Sequence, residues 1–160
     1  MALTTLDPIT ALIIVDLQRG LVGSPLVHPV GDVVARACTL TAAFRQRGLP
    51  VVLVNVDGGA PGRTERPRPG EAIPDGWTNL IPELARQVGD IVVTKRTWGA
   101  FASTDLERQL LRARSVTLAT DAMTDARPDA HDYSIANVFP RLGETGATQS
   151  IIDLLERTHA

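Results

Sequence analysis

The sequence is poor in several residue types, and each shortage excludes something. It has one cysteine, Cys38, so an internal disulfide is excluded and a reducing compartment, the cytoplasm, is favoured. It has no apolar run long enough to cross a bilayer; the longest, residues 11–15 and 51–54, are strand-sized, and no membrane association is expected. Residues 1–7 lack the basic and apolar stretches of a secretory signal. Positive charge is not in excess: the formal net charge is −2 and no basic stripe stands out, which argues against nucleic acid as a partner. The histidines, His28, His131 and His159, are scattered, so neither a metal site nor a cofactor is expected. Lysine is scarcest for its class. Of 16 basic residues only Lys95 is a lysine. A compact ammonium does what a planar guanidinium does not, although an arginine-rich codon bias accounts for the count equally well.

What is present reads as one ordinary globular domain over residues 1–160, with 44% apolar and 21% charged residues. Residues 11–15 form a buried-strand run ending at Asp16. Val30, Val33, Val34, Ala37, Cys38, Thr41 and Phe44 follow at helical spacing, with Gly48 placed to end the helix. Residues 51–56 predict a second strand. Residues 57–76 hold five glycines and four prolines and predict a long loop, of a length that suits a lid, a binding loop or a merely disordered excursion. A short helix is expected over 79–87 with Pro82 in its first turn, and a third strand over 91–94 ending at Lys95. Thr104 and Glu107 have capping-box spacing ahead of Leu106, Leu110 and Ala113. A fourth strand over 116–119 and helices over 129–139 and 150–157 complete the reading.

Strands alternating with helices predict an α/β fold: a doubly wound, mainly parallel sheet of about five strands with helices on both faces. Ligands of such sheets sit beyond the carboxyl ends of the strands. Asp16, Asn55, Lys95 and Asp121 each fall at or just past such an end, so residues far apart in sequence should converge on one crevice. A carboxylate at the mouth of a buried strand suits proton transfer, and a lysine beside it holds it ionised or stabilises an oxyanion. A salt bridge that merely ties two strand ends together is the plainer reading of the same residues.

Longer motifs favour the first reading. The stretch Ala-Leu-Ile-Ile-Val-Asp-Leu-Gln ending at Gln18, the block over 94–106 containing Lys95, Trp98, Phe101 and Thr104, the run Thr-Asp-Ala-Met-Thr-Asp over 120–125, His131, and Phe-Pro-Arg-Leu over 139–142 together resemble the isochorismatase-like hydrolase family, in order and along nearly the whole chain. The resemblance implies a triad of aspartate as base, lysine as electrostatic partner and cysteine as nucleophile, acting on a small-molecule substrate. Asp16 and Lys95 match the first two positions. Gln18, Asn55, Trp98, Phe101 and Asp121 are the residues expected to bind substrate. The cysteine position has no match: the strand–helix unit that would carry it should precede the strand over 116–119, and about 30 residues are lacking there. Loss of an internal strand leaves either a gap or a sheet that closes up. Closure is expected, with the strand over 116–119 beside the first strand, because a gap leaves backbone groups unpaired.

Cys38 lies on the apolar face of the first long helix, where a buried, inert thiol is expected. Ser103 and Thr104 read as helix caps, and Ser115 has no activating base beside it. The glycines at 58, 59 and 62 lack the spacing of a dinucleotide fingerprint. Trp98 and Phe101 read equally as packing residues. Some relatives cleave a vinyl ether without the cysteine, with the aspartate as general acid. Three readings therefore stand: a hydrolase impaired by loss of its nucleophile segment, a non-catalytic relative that binds a small molecule or a subunit, and a shortened form of an active enzyme. The resemblance also implies a homo-oligomer.

Overall fold

The computed structural model describes residues 3–58, 73–97, 99–101, 104–110 and 116–158. The elements run β1 (Leu12–Val15), α1 (Arg19–Val22), α2 (Val30–Gln46), β2 (Val51–Val56), a 3-10 turn (Pro82–Leu84), β3 (Ile91–Lys95), α3 (Leu106–Gln109), β4 (Thr117–Ala119), α4 (Pro128–Tyr133), a π-turn (Ser134–Val138), α5 (Phe139–Leu142), β5 (Glu144–Gly146) and α6 (Thr148–Thr158). β1, β2 and β3 form one parallel sheet in that order, and β4 and β5 form a second parallel pair.

β2 is the central strand. Residues 51–54 are all buried, as a strand with neighbours on both edges and helices on both faces requires. One core packs β1 and β2 against α2 and α6 through Leu40, Phe44, Leu53, Ile151 and Leu155. A second, on the other side, joins Val52, Val54 and Val93 to Leu106 of α3. The fold is the expected α/β arrangement with helices on both faces.

α2 ends as its sequence demands. Gly48 sits at φ 64°, its N–H donates to Arg45 O at 3.0 Å, and the Leu49 N–H donates to Phe44 O at 3.0 Å. This pair of bonds closes the last turn and turns the chain into β2. Near that end, Arg45 grips Asp90 ahead of β3 through Nε–Oδ1 at 3.2 Å and a second bond from Nη2 to Oδ2, and the Gln87 N–H donates to Oδ2 at 2.7 Å. Burial works against the charged Asp90, but the Arg45 hydrogen bond, the Gln87 N–H and the charges of Arg45 and Arg86 together hold its carboxyl below the usual range. Because the folded value is depressed, the stabilisation is present above the unfolded value of about 3.8 and is lost as pH falls through the folded one. Asp90→Asn should therefore cost on the order of 2 kcal/mol at pH 7 and approach the wild type in acid, once the folded carboxyl is protonated, as read by urea unfolding across pH.

Three expectations are corrected. The helix over 79–87 is only the Pro82–Leu84 turn, because Leu80 is drawn into an antiparallel bridge with Gln18 and Ala85 takes a left-handed φ of 42°. β5 was not expected: Glu144, Thr145 and Gly146 carry no apolar run, and the pairing with β4 creates the strand. Most important, the sheet does not close up. Among the described residues β4 pairs with β5 and not with β1, and none pairs with the edge of β1 away from β2. The expected loop over 57–76 falls largely outside the described residues, as do Trp98, Ser103 and Ser115.

Candidate active site

Asp16 ends β1 in a conformation few residues accept, at φ 64°. Its N–H still donates to Val54 O at 2.8 Å, the last rung of the β1–β2 ladder. The left-handed turn then swings the chain away from β2, at a cost of about 1 kcal/mol for a residue with a side chain, somewhat less for aspartate. Such strain recurs where a side chain must be aimed. Here the carboxylate is aimed at Lys95.

Lys95 is the last residue of β3. It sits on the same face as Val93 by strand alternation, so its stem is buried with the apolar side chains. Its Nζ reaches Asp16 Oδ2 at 2.8 Å, across the carboxyl end of β2. The ammonium is almost fully buried, whereas Asp16 is about one third exposed. Asp16 is thus the more exposed member of the pair. Asp16 Oδ1 is buried and has no hydrogen-bond partner among the described residues, and the same holds for Asn55 Oδ1 at the end of β2. The Asn55 amide nitrogen donates to Thr78 O at 2.9 Å, which sets the side chain's direction.

A cavity of about 1510 Å³ opens between β1 and β4, lined by Asp16, Phe101, Met123, Thr124, Asp125 and the apolar faces of β1 and α2. Phe101 is exposed on its wall. Thr124 and Asp125 belong to the run over 120–125 but were not among the expected substrate-binding residues; their place at the wall follows from the Val27 N–H donating to Asp125 O at 2.9 Å and the His28 N–H to Thr124 Oγ1 at 3.0 Å.

Gln18 and Asp121 come to the region in a different capacity. Gln18 is fully buried, its Nε2 donating to Val56 O at 3.1 Å and Trp77 O at 3.2 Å, its Oε1 accepting from the Val56 N–H at 2.7 Å. Asp121 accepts from the Thr148 N–H at 2.8 Å and Thr148 Oγ1 at 2.9 Å at the start of α6, and meets Arg36 at 3.3 Å. Its carboxylate caps a helix. The histidines are not all dispersed: His28 and His131, 103 positions apart, meet at 3.1 Å between their Nε2 atoms. Among the described residues no group of three His, Cys, Asp or Glu side chains is placed to hold a metal, and no helix is long and apolar enough to cross a membrane.

Cys38 is half-buried rather than fully buried, and it is not at the cavity containing Asp16. It lines a smaller one of about 430 Å³ with Val34, Ile81 and Glu83, and donates to Glu83 O at 3.2 Å. Burial, then the Glu83 charge, push its thiol up, with Arg45 opposing. Alkylation of Cys38 by iodoacetamide at pH 7.5 should therefore run slower than that of a free thiol and keep rising above the usual thiol range. A faster rate would reveal an activated thiolate.

An isochorismatase domain model matches residues 10–118. An uncharacterized isochorismatase family protein, YecD of Escherichia coli O157:H7, is 32% identical, covering 91% of this chain and 96% of YecD. That alignment runs over 182 positions, whereas 91% of this chain is about 146 residues, so about 36 positions are filled in YecD and empty here. The ureidoacrylate amidohydrolase RutB of Pseudomonas syringae is 31% identical over 67% of this chain and 56% of RutB. Among solved structures, an isochorismatase family protein from Burkholderia thailandensis superposes with a TM-score of 0.87 at 31% identity, covering 95% of this chain and 98% of that one. N-carbamoylsarcosine amidase from Thermoplasma acidophilum shares the fold, with a TM-score of 0.65 at 22% identity over 86% of this chain and 95% of that one. On these matches, the chain belongs to the isochorismatase family.

Proposed function

We propose that this chain binds a small molecule bearing an amide or ureido group at the Asp16–Lys95 pair, and that it lacks the cysteine chemistry with which the resemblance would have it hydrolyse that group. The observation that carries the reading is the pair itself: a buried ammonium 2.8 Å from a half-open carboxylate, with the chain's one thiol on α2 in a separate cavity. The two buried acceptors, Asp16 Oδ1 and Asn55 Oδ1, favour a ligand that donates hydrogen bonds, as a primary amide or ureido nitrogen does. RutB, a relative named for ureidoacrylate, points to the same class. The positions that YecD fills and this chain does not support a missing unit of strand–helix size. A cytoplasmic location and a homo-oligomeric assembly go with this reading, the first from the lone thiol and the second from the resemblance alone.

The test is titration of the protein with nicotinamide and with N-carbamoylglycine, followed by amide NMR. Saturable binding of either, weakened more than tenfold by Asp16→Asn with dispersion of the spectrum retained, is the expected result. Binding untouched by Asp16→Asn, or none by either probe, overturns the assignment.

A further inference from the structure

The slot between β1 and β4 has two walls of the same kind. In β1 the Leu12 and Asp16 N–H groups donate to β2, at Pro50 O and Val54 O. Backbone direction alternates along a strand, so the peptide groups of Ile13 and Val15 point away from β2, into the slot. In β4 the Val116 carbonyl accepts from Glu144 and the Thr120 N–H donates to Gly146, both toward β5. By the same alternation the Thr117 peptide group and the Ala119 N–H point away from β5. Among the described residues β1 pairs only with β2 and β4 only with β5.

The faces of the slot are apolar on both sides. Val33, Ala37 and Phe44 of α2 line it from one, Ala100, Phe101 and Leu110 from the other. Val15, Phe101, Val116 and Leu142 are large apolar side chains left exposed at its margin. Apolar side chains clustered and exposed in this way mark a surface that a ligand or a partner covers. An occupant met by apolar groups on both faces and by peptide groups on both edges is in the environment of a central parallel strand, whose sequence is a near-continuous run of β-branched residues. A second copy of β1 would bring its whole sheet and does not suit a slot walled by helices, whereas a single extended segment does. The extra positions in YecD are of the size of one strand and its crossover helix.

We infer that this chain takes an extended, β-branched segment of another polypeptide into the slot between β1 and β4, as a parallel strand paired with Ile13 and Val15 on one side and Thr117 and Ala119 on the other. Pairing gives affinity through main-chain bonds, and the two apolar faces select the side chains. This does not depend on what the Asp16–Lys95 pair binds.

Hydrogen exchange of the full chain tests it, with the peptide Lys-Lys-Thr-Val-Ile-Val-Ile-Gly-Lys-Lys as probe. The amides of Ile13, Val15, Thr117 and Ala119 should slow by about tenfold or more on peptide addition, while those of Leu12 and Ile14, already bonded to β2, change little. The same peptide with N-methyl groups on every core residue removes the N–H donors of both edges and crowds the backbone out of a ladder; it should leave all four amides as they were. Three outcomes overturn the inference: no protection on either wall, equal protection by the methylated peptide, or protection of these amides in the protein alone, which would mean that a second copy or the chain itself already fills the slot.

Discussion

Purified protein should hydrolyse nicotinamide and N-carbamoyl amides about 10⁶-fold more slowly than a hydrolase with its nucleophile in place, the scale of loss when the attacking group of a concerted triad is removed. Amide cleavage by a thiol needs a thiolate within about 3 Å of its base. Asp16 has its lysine partner, but Cys38 hangs from α2 against Glu83, in a cavity that does not contain Asp16. Its raised pKa leaves little thiolate at neutral pH. To serve, it would have to leave the partly buried surface it shares with Val34 and Ile81 and cross to the end of β1. The measurement is product release by the wild type, Cys38→Ala and Asp16→Asn under identical conditions. Wild-type turnover near that of an intact hydrolase, abolished by Cys38→Ala with the fold retained, would show that the thiol does reach the site. Turnover indifferent to Cys38→Ala but lost in Asp16→Asn would point to a cysteine-free route, with Asp16 delivering the proton.

The parts of this arrangement legible in the sequence are those set by local pattern. Short runs of Val, Ile and Leu marked β1, β2 and β3, most plainly β2, which is buried on both faces and cannot carry polar residues in its middle. Gly48 marked the end of α2 because the chain there needs a left-handed residue. Asp16 and Lys95 could be brought together on paper because parallel strands deliver their carboxyl ends to one edge. What escaped was set by partners distant in the chain. β5 is a strand only because β4 lies beside it. His28 and His131 look scattered until the segment before α2 is tied to Asp125 and α4 closes over it. Asp121 ends an apolar run just as Asp16 does, yet it faces the start of α6. The slot escaped for a different reason. The expectation of closure rested on the cost of unpaired backbone, and that argument omitted α2 and α6, whose core takes in Ile14 of β1 and Ala119 of β4 without the two strands pairing.

Gln18→Leu should destabilise the protein by about 3 kcal/mol, more than a change at a residue that only faces substrate would cost. The reason lies in a mismatch of strand lengths. β2 runs to Val56, whereas β1 ends at Val15 and Asp16 turns away. Val52 and Val54 offer their backbone groups to β1, and by alternation Val56 does so as well, at a level where β1 no longer exists. The Gln18 amide takes the place of the missing peptide, accepting from the Val56 N–H at 2.7 Å and donating to its carbonyl at 3.1 Å. A side-chain amide has the donor and acceptor of a backbone peptide on separate atoms, which an acceptor-only carboxylate does not match. Leucine fills similar volume and strands both Val56 groups in a buried place, at about 1–3 kcal/mol each. The Trp77 carbonyl loses less, because the Gly20 N–H also donates to it. Gln18→Glu should be destabilising too, since a carboxylate accepts from the Val56 N–H but faces its carbonyl with a like dipole. Urea unfolding gives the comparison, with the exposed Gln149→Leu on α6 as a control expected to stay within about 0.5 kcal/mol of wild type. If Gln18→Leu unfolds at the same urea concentration as that control, the amide is not holding the end of β2, and Gln18 returns to the residues free to meet a ligand.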